Sequence, residues 1–358
     1  MINLHYFSLN DIANQLVDKS PKTHHNISQI RSYTMASIHV LIITGPTASG
    51  KTHLAVELAR CFNGEIISAD CRQVYRGLDI GTGKDLEEYG TPPDNVPYHL
   101  IDIAEPGDDF NLLRFVELAK EAISDIASHG KLPIIAGGTP LYLSALLNGY
   151  DLPGGQPDPE LRASLEELTD EELANKLRGM ATPELVARVD FTQRRRIIRA
   201  IEIASNPETA IATPEPLDNP LILAPFYDRA TIRERILKRL DARLDTGLVE
   251  EVRLLHQNGV SWERLDWYGL EYRYIARFLR GDCTYQQMHD DLLNKIRNFA
   301  KSQDIWFRKL ERQGHDIHWL PEGNLELAST LVHKWLSGLP IPKPDIILDK
   351  IHYGAKTS

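Results

Sequence analysis

The feature that most constrains this chain is a glycine-containing loop between a short apolar run and a helix-forming segment. Residues 45–52 read Gly-Pro-Thr-Ala-Ser-Gly-Lys-Thr and fit the G-x-x-x-x-G-K-[ST] pattern of a phosphate-binding loop. The β-branched run at 39–43 is typical of a buried parallel strand, and residues 53–59 favour a helix. An ordinary strand-to-helix turn is the alternative, but this order of elements is the context that the pattern requires. The sequence therefore predicts a phosphorylated ligand.

The loop pattern also assigns chemical roles to its residues. Glycines allow backbone N–H groups to turn inward as an anion nest, and the following helix N-terminus adds partial positive charge. Lys51 would reach the terminal phosphates, and the Thr52 hydroxyl would hold Mg²⁺, the one cofactor predicted. The predicted ligand-binding residues are Gly45, Pro46, Thr47, Ala48, Ser49, Gly50, Lys51 and Thr52.

The amino-acid composition limits the class of protein to which this chain can belong. The 358 residues are 42% hydrophobic and 25% charged, as in a soluble globular protein of one large or two ordinary domains. No run approaches the roughly 18 apolar residues of a membrane span, so we expect no membrane contact. The three cysteines are far apart and suggest neither a zinc site nor a disulfide framework, which favours a cytoplasmic protein.

The charge distribution is uneven. A net charge of −10 argues against a nucleic-acid partner for the chain as a whole. Basic residues nevertheless cluster at 194–199, 229–243 and 295–309. Each cluster alone is equally consistent with a solvated helix face. Together, three such clusters in an acidic chain favour a localised site for a polyanion.

The pattern along the chain predicts an α/β fold: a P-loop NTPase-like parallel sheet flanked by helices, with a small helical insertion and long C-terminal helices. Residues 1–37 form an N-terminal extension, either disordered or translated from a misassigned start, with Met35 as the true first residue. The core spans 38–148 and 192–337, the short helical insertion 149–191, and a loose tail 338–358. Predicted strands are 65–68, 99–103, 133–136 and 315–320, and predicted helices 110–127, 141–147, 194–204, 229–257 and 285–311. Residues 205–220, with four prolines, are predicted to be a loop.

One carboxylate follows the second predicted strand. In an open parallel sheet, ligands bind outside the carboxyl ends of the strands. Asp70, just after the strand at 65–68, is therefore expected near the phosphate loop. Its carboxylate could hold Mg²⁺ or accept a proton from a nucleophile. A simple helix N-cap is the alternative role.

Seven ordered blocks of this sequence resemble those of the tRNA dimethylallyltransferases, also called tRNA isopentenyltransferases. The phosphate loop comes first, and a helix with Arg196, Arg199 and Glu202 is similar to the Arg-x-x-Arg-Ala-Leu-Glu helix of that family. The resemblance covers about residues 38–320. The matching blocks are residues 45–52, 68–82, 99–103, 137–142, 196–202, 247–252 and 300–308.

The resemblance implies transfer of a dimethylallyl group from dimethylallyl diphosphate to N6 of the adenosine beside the anticodon of tRNA. Its partners would be the diphosphate and the tRNA anticodon stem-loop, and we expect a monomer. Asp70 would be the general base, Thr47 a donor contact and Arg239 part of the diphosphate clamp. The residues implied in tRNA binding are Asp70, Cys71, Arg72, Gln73, Arg195, Arg196, Arg199, Tyr272 and Arg273.

The chain departs from the family pattern on the side implied to face tRNA. The departures are Cys71, Thr192, Gln193, Glu271, Ile296 and Ser302. Three other functions remain open at this point: an adenylate isopentenyltransferase that acts on AMP or ADP, a small-molecule kinase that uses ATP, and a non-catalytic RNA-binding descendant. The long C-terminal helical part disfavours the first, because a mononucleotide does not need it. The intact Lys51, Thr52 and Asp70 disfavour the last.

Overall fold

A computed structural model describes residues 38–351 except 150, 154, 156, 208, 213 and 214. The described residues belong to one compact unit. The extension at 1–37 and the last seven residues of the predicted tail lie outside the described residues. Within the described part of the chain, no helix is both long and apolar enough to span a membrane.

The centre of the fold is a six-stranded parallel sheet, which confirms the predicted fold class. Its order is β3-β2-β4-β1-β7-β8, and every pairing is parallel. The strands are β1 Leu41–Ile43, β2 Gly64–Ser68, β3 Tyr98–His99, β4 Leu132–Ala136, β7 Leu221–Phe226 and β8 Ile317–Pro321. A separate antiparallel pair joins β5 Asp151–Pro153 to β6 Ala210–Ala212. Strand β6 lies in the segment 205–220 that was predicted to be a loop, and β5 lies at the start of the predicted helical insertion.

Helices cover both faces of the sheet. The thirteen α-helices of the described residues are α1 Lys51–Cys61, α2 Leu112–Ser128, α3 Pro140–Asn148, α4 Pro159–Glu166, α5 Asp170–Met180, α6 Pro183–Arg188, α7 Arg194–Ser205, α8 Arg229–Asp245, α9 Leu248–Gln257, α10 Trp262–Tyr268, α11 Leu270–Arg280, α12 Tyr285–Arg312 and α13 Leu325–Leu336. In β1, Ile42 packs into the core on one face, whereas Leu41 and Ile43 pack into the core on the other. Burial on both faces explains why this strand reads as a continuous apolar run.

The strand order places three loops next to one another. Strand β4 lies between β1 and β2, with Ala136 paired to both Ile43 and Ser68. Because the strands are parallel, their carboxyl ends meet at one edge of the sheet. The phosphate loop, Asp70 and the Gly137–Thr139 loop therefore come together there, as the sequence predicts for Asp70.

Two predicted elements differ from the structure for local backbone reasons. The third strand ends at His99, because Leu100 and Asp102 have φ angles of 62° and 56° in the left-handed region, where a strand cannot continue. The predicted helix at 229–257 is two helices, α8 and α9. Gly247, at φ 106°, stands between them and allows the turn.

The helical insertion has its own small core. Leu165, Leu173 and Leu177 from α4 and α5 pack against Ile197 and other apolar residues of α7. The sequence assigns α7 to the main core segment that starts at 192, but its buried face belongs to this smaller cluster. An amphipathic pattern shows that a helix has a buried face without showing which neighbour covers it.

The segment after residue 338 is packed as far as the structure describes it, rather than loose. Leu348 is 2% exposed and lies in the main core. The carboxylate of Glu311 accepts hydrogen bonds from the backbone N–H groups of Leu348 and Asp349, at 3.0 and 2.8 Å. The proline-rich composition favours a loose tail, but three scattered apolar residues, among them Ile346 and Ile351, anchor it on α12.

Candidate active site

The loop between β1 and α1 has the backbone of an anion nest. Gly45 and Gly50 have φ angles of 144° and 82°, and Gly50 is the N-cap of α1. A Cβ at Gly45 would lie 2.9 Å from the Ser49 Oγ, so a side chain there would collide with the loop itself. The Ser49 Oγ is buried and has no hydrogen-bond partner among the described residues. A buried hydroxyl without a partner in an anion nest fits a site that a ligand completes.

Two buried cations, Lys51 and Arg239, converge on this loop, and neither forms a salt bridge with a described carboxylate. Burial, followed by repulsion from the neighbouring Arg239, lowers the pKa of Lys51 to about 8. Burial, followed by repulsion from Arg243, lowers the pKa of Arg239 to about 10. Arg239 donates a 2.5 Å hydrogen bond to the Thr47 hydroxyl and forms no salt bridge with any described carboxylate. Buried cations whose pKa values are lowered by burial and by neighbouring arginines are poised for an anion.

Two distant helices hold the loop in place. The Thr47 backbone N–H donates a 2.8 Å hydrogen bond to the Gln303 Oε1, on α12. Arg235, on α8, donates from Nε to the Ala48 carbonyl at 2.7 Å. Gln303 is 4% exposed, so its amide is fixed by packing. The sequence gives Gln303 and Arg235 no role in the site, because their contacts join segments that are far apart in the chain.

Asp70 lies beside the loop at the end of β2. Its Oδ1 accepts the backbone N–H of Arg72 at 2.9 Å, and the Cys71 N–H donates to the Thr139 Oγ1 at 3.1 Å. A Cβ on Gly137 would lie 2.4 Å from the Ala69 carbonyl oxygen, so only glycine allows the β2 and β4 loops to approach this closely. The other carboxylate oxygen of Asp70 has no hydrogen-bond partner among the described residues and is available to a ligand.

The loop cations and Asp70 share one cavity of about 350 Å³. Its polar lining includes Thr47, Lys51, Arg239 and Arg243, and its apolar lining includes Leu270, Ile296 and Phe299. The remaining lining residues are Asp70, Cys71, Arg72, Gly81, Thr82, Gly138, Thr139, Pro140, Tyr268, Gly269, Glu271, Tyr272 and Gln303. The cavity can hold a ligand with an anionic end and an apolar end beside a carboxylate.

Some residues predicted to contact RNA have hydrogen-bond partners within the protein. Gln73 accepts a hydrogen bond from the Ser68 hydroxyl at 2.7 Å and donates to the Gly83 carbonyl at 2.8 Å. Tyr272 is 1% exposed, and its hydroxyl donates to Glu251 at 2.7 Å; burial and that carboxylate raise the pKa of Tyr272 well above its usual value. Arg273 donates to the Asp266 carbonyl at 2.8 Å. Of these three, only Tyr272 lines the cavity.

The arginines of α7 do not act as a group. Arg199 donates to the buried Glu202 at 2.9 Å, and Arg196 to Asp190 at 3.1 Å. Arg195 instead lies near the Trp267 ring, 5.9 Å from its centroid. Among the three predicted RNA contacts on this helix, Arg195 is the one that the structure directs toward the cavity side, next to Arg72.

A partly buried carboxylate that the sequence did not single out shapes one cavity wall. Glu251, on α9, accepts hydrogen bonds from the backbone N–H groups of Asp79, Ile80 and Gly81, at 3.0, 2.6 and 3.0 Å. It also accepts from the Tyr272 hydroxyl. Family block 247–252 contains Glu251, but nothing in one sequence shows that its partners lie about 170 residues earlier. This carboxylate holds the loop that brings Gly81 to the cavity.

The arrangement fits a metal ion only in a particular form. No group of three or more His, Cys, Asp or Glu residues that could hold a metal is present among the described residues. The side chain of Thr52, near the start of α1, is partly exposed beside the loop. A Mg²⁺ with few protein ligands is typically bound through phosphate oxygens and water. The residues present therefore fit Mg²⁺ as part of a metal–phosphate complex rather than as a resident ion.

Comparison with known proteins gives one consistent result. A family model described as IPP transferase matches residues 73–310, and one described as isopentenyl transferase matches residues 38–89. The chain is 50% identical to a tRNA dimethylallyltransferase of Trichlorobacter lovleyi over 287 residues, which is 80% of this chain and 92% of that protein. It is 48% identical to one of Geotalea uraniireducens over 284 residues, covering 79% and 93%.

Solved structures agree on the fold. The tRNA isopentenylpyrophosphate transferase of Bacillus halodurans is 32% identical with a TM-score of 0.59, covering 84% of this chain and 96% of that one. A eukaryotic dimethylallyltransferase, at 24% identity, has a TM-score of 0.69 over 86% and 81% of the two chains and supports the fold alone. Family models and close relatives across most of the chain leave one conclusion: this protein belongs to the tRNA dimethylallyltransferase family.

Proposed function

We propose that this protein transfers a dimethylallyl group from dimethylallyl diphosphate to N6 of the adenosine beside the anticodon of tRNA. The observation that carries the proposal is the shared cavity, in which an anion nest with two buried cations lies beside a carboxylate. The cationic residues of the cavity suit a diphosphate, and its apolar lining residues suit a prenyl group. The family and its tRNA-modifying relatives support tRNA as the acceptor.

In this proposal the cationic residues bind the departing diphosphate, and the carboxylate accepts a proton. A bond forms between N6 of adenine and the allylic carbon, while the bond from that carbon to the diphosphate oxygen breaks. Lys51 and Arg239 stabilise the departing diphosphate by hydrogen bonds and charge, which is usually the largest single contribution to catalysis. Asp70 accepts the N6 proton; a positioned general base contributes about 10²–10⁴-fold.

Magnesium has a limited place in the proposal. Thr52 would hold Mg²⁺ together with oxygens of the diphosphate, and the bound ion would neutralise charge on that group. The Thr47 hydroxyl, Arg239 and the loop N–H groups other than that of Thr47, which donates to Gln303, bind the same diphosphate from the protein side. The protein residues thereby orient the allylic carbon toward the Asp70 side of the cavity.

The first test is a direct assay of the product. Purified protein is incubated with dimethylallyl diphosphate, Mg²⁺ and unmodified tRNA, and in parallel with AMP; the products are digested and examined by mass spectrometry. Prenylated adenosine from tRNA alone is the expected result. Product from AMP alone would move the activity to free adenylate, and ATP binding without prenylated product would point to a kinase.

Replacing the proposed base separates chemistry from binding. Asp70→Asn keeps the size of the side chain and the acceptor oxygen for the Arg72 N–H but cannot take a proton. We expect kcat to fall by about 10²–10⁴-fold with donor affinity largely unchanged. Single-turnover kinetics measure the first, and protection from thermal unfolding by the diphosphate measures the second. A fully active Asp70→Asn enzyme would overturn the assignment of the base.

A further inference from the structure

A third cation lines the cavity beside the two that bind the diphosphate in the proposed function. Arg243 follows Arg239 by one turn of α8, is 8% exposed and lines the cavity. Its charge is the strongest of those that lower the pKa of Arg239, and it also lowers the pKa of Lys51. The Arg243 guanidinium therefore lies close to both cations, but the loop motif and the family resemblance assign it no role.

The hydrogen-bond donors of Arg243 are not used within the described part of the protein. Its guanidinium donates no hydrogen bond to a described residue. The one carboxylate in salt-bridge distance is that of Asp85, whose Oδ1 lies 3.8 Å from the Arg243 Nη2, too far for a hydrogen bond. Burying a polar group without partners costs free energy, so a buried guanidinium with free donors indicates that a ligand completes the site. The planar fork of five donors suits the oxygens of a phosphate group.

Gly83 determines where this guanidinium can lie. The φ angle of Gly83 is 64°, in the left-handed region. A Cβ at Gly83 would lie 1.7 Å from the Arg243 Nη2 and 2.8 Å from its guanidinium carbon. Any side chain at Gly83 would therefore displace the guanidinium from its observed position. Gly83 is a seat for Arg243 as well as a residue whose backbone conformation favours glycine.

The loop that carries Gly83 is fixed from two sides. Lys84 is 1% exposed and donates from Nζ to the carboxylates of Asp79 and Asp102. Glu251 accepts three backbone N–H groups of the same loop, as described above. A seat on a fixed loop holds the guanidinium in place before a ligand arrives, which lowers the cost of binding.

We propose that Arg243 binds the departing diphosphate as a third cation, together with Lys51 and Arg239, and that Gly83 positions it. This inference rests on the proposed function, because it requires a diphosphate donor. Arg243 contacts the diphosphate directly, whereas Gly83 acts only through Arg243. Asp85 is the counter-ion in the donor-free protein, and the diphosphate takes its place. The negative charge that develops on the leaving oxygen thus meets one more preorganised donor.

The first test compares the two members of the weak ion pair. Full-length wild type, Arg243→Ala and Asp85→Asn are titrated calorimetrically with inorganic pyrophosphate and Mg²⁺ at about pH 6.5, below the pKa of Lys51. Arg243→Ala should bind about 10–100-fold more weakly, because a charged hydrogen bond is lost. Asp85→Asn should bind more tightly, because the competing carboxylate is gone. Wild-type affinity in Arg243→Ala, or equal losses in both variants, would overturn the proposal, since the pair would then be structural.

Unfolding of the donor-free protein separates binding from structure. Removing Arg243 removes a buried charge with one distant counter-ion, so Arg243→Ala should not lower the free energy of unfolding. Urea unfolding without pyrophosphate measures this. A clear loss of stability together with unchanged pyrophosphate affinity would show that Arg243 supports the fold and not the ligand.

The seat is tested by a double-mutant cycle. Gly83→Ala should weaken pyrophosphate binding in the wild-type background but have no further effect in the Arg243→Ala background. Gly130→Ala is the matched control, because Gly130 has a φ angle of 69° but no atom within 4 Å of the added Cβ. Arg233→Ala removes an exposed arginine of the same helix that does not line the cavity. Both controls should keep wild-type affinity.

The outcomes of these tests are distinguishable from failure of the proposed function. If Gly83→Ala weakens binding equally in the Arg243→Ala background, the seat is overturned. These titrations contain no acceptor, so the assignment of Arg243 does not depend on tRNA. A wild type that binds pyrophosphate but prenylates AMP instead of tRNA would overturn the proposed acceptor and leave the third cation in place.

Discussion

The arginines of α8 and those of α7 look alike in the sequence but are used in opposite ways. On α8, Arg239 is buried beside Lys51 with no carboxylate in salt-bridge distance among the described residues. On α7, Arg194 pairs with Glu166 and Asp170, and Arg199 pairs with the buried Glu202. Uncompensated burial is costly and persists where a ligand supplies the missing charge.

The comparison shows that a basic cluster is a candidate anion site when its charges lack carboxylate partners, whatever the number of its basic residues. Burial alone would raise the pKa of Glu202, but hydrogen bonds from Arg162 and Arg199 lower it below the usual value. Those arginines stabilise the insertion, and because Glu202 accepts their hydrogen bonds, they have few donors available for a ligand. Arg195 is the exception on α7, because it turns toward Trp267 and has no carboxylate partner among the described residues.

The largest effect is expected from removing the unpaired cation. Arg239→Ala should lower kcat/KM by about 10²–10³-fold, since the departing diphosphate loses a preorganised donor. The free energy of unfolding of the ligand-free protein should not fall, because a buried, uncompensated charge disappears. Steady-state kinetics and urea unfolding measure the two. A fully active variant would place the diphosphate elsewhere.

The second-largest effect is expected from the ion-paired arginines of α7, and it should appear in the free energy of unfolding rather than in activity. Glu202→Ala should lower the free energy of unfolding by about 2–4 kcal/mol, because it leaves Arg162 and Arg199 without their shared carboxylate. Urea unfolding measures this, and Glu171→Ala, at an exposed position of α5, is the matched control. If donor affinity fell as much as stability, the proposed division between the two clusters would be wrong.

A third, smaller effect follows from the pKa of Lys51, which is about 8 in the ligand-free protein. Below pH 8 the Lys51 amine is charged and binds the diphosphate. Above pH 8 the amine is mostly neutral, so it must take up a proton when the diphosphate binds. Donor affinity should therefore fall about tenfold between pH 7 and pH 9. Calorimetric titration measures this dependence. Lys51→Met should bind more weakly at every pH and lack the dependence on this proton.

The smallest effect is expected at the exposed pairs of α7. Arg194→Ala removes two partly exposed salt bridges, so it should cost less than about 1 kcal/mol in the free energy of unfolding. Affinity for the donor should not change. Thermal unfolding with and without the diphosphate checks both statements. A loss of donor affinity would show that the paired arginines of α7 contribute to the site after all.

Local patterns in the sequence were enough for the parts of the fold that are continuous in the chain. The strand–loop–helix at 41–61, the buried β4 and the long α12 lie close to their predicted bounds. Strand β7 was missed, although its apolar run at 221–226 carries a signal, because the prolines before it favour a loop. The helices α10, α11 and α13 were missed as well.

The residues of the site likewise divide into those that local sequence patterns predicted and those that only the structure reveals. Lys51, Thr47, Asp70 and Arg239 were predicted and line one cavity. Glu251 and Gln303 were not assigned roles, because their hydrogen bonds join segments separated by 170 or more residues. Tyr272 and Gln73, which were predicted to contact RNA, form internal hydrogen bonds that a motif does not reveal; their contact with RNA stays a prediction.

By itself, the sequence determined the phosphate-binding loop, the parallel α/β class and the family, since each depends on residue types at fixed short spacings. Only the tertiary structure decided which charges are neutralised. Charge pairing depends on distances of a few ångströms between helices far apart in the chain, and Coulomb energy changes steeply over that range in a buried site. Arginines of α8 thus line the cavity without a direct carboxylate partner in the case of Arg239, whereas arginines of α7 form a structural ion-pair network.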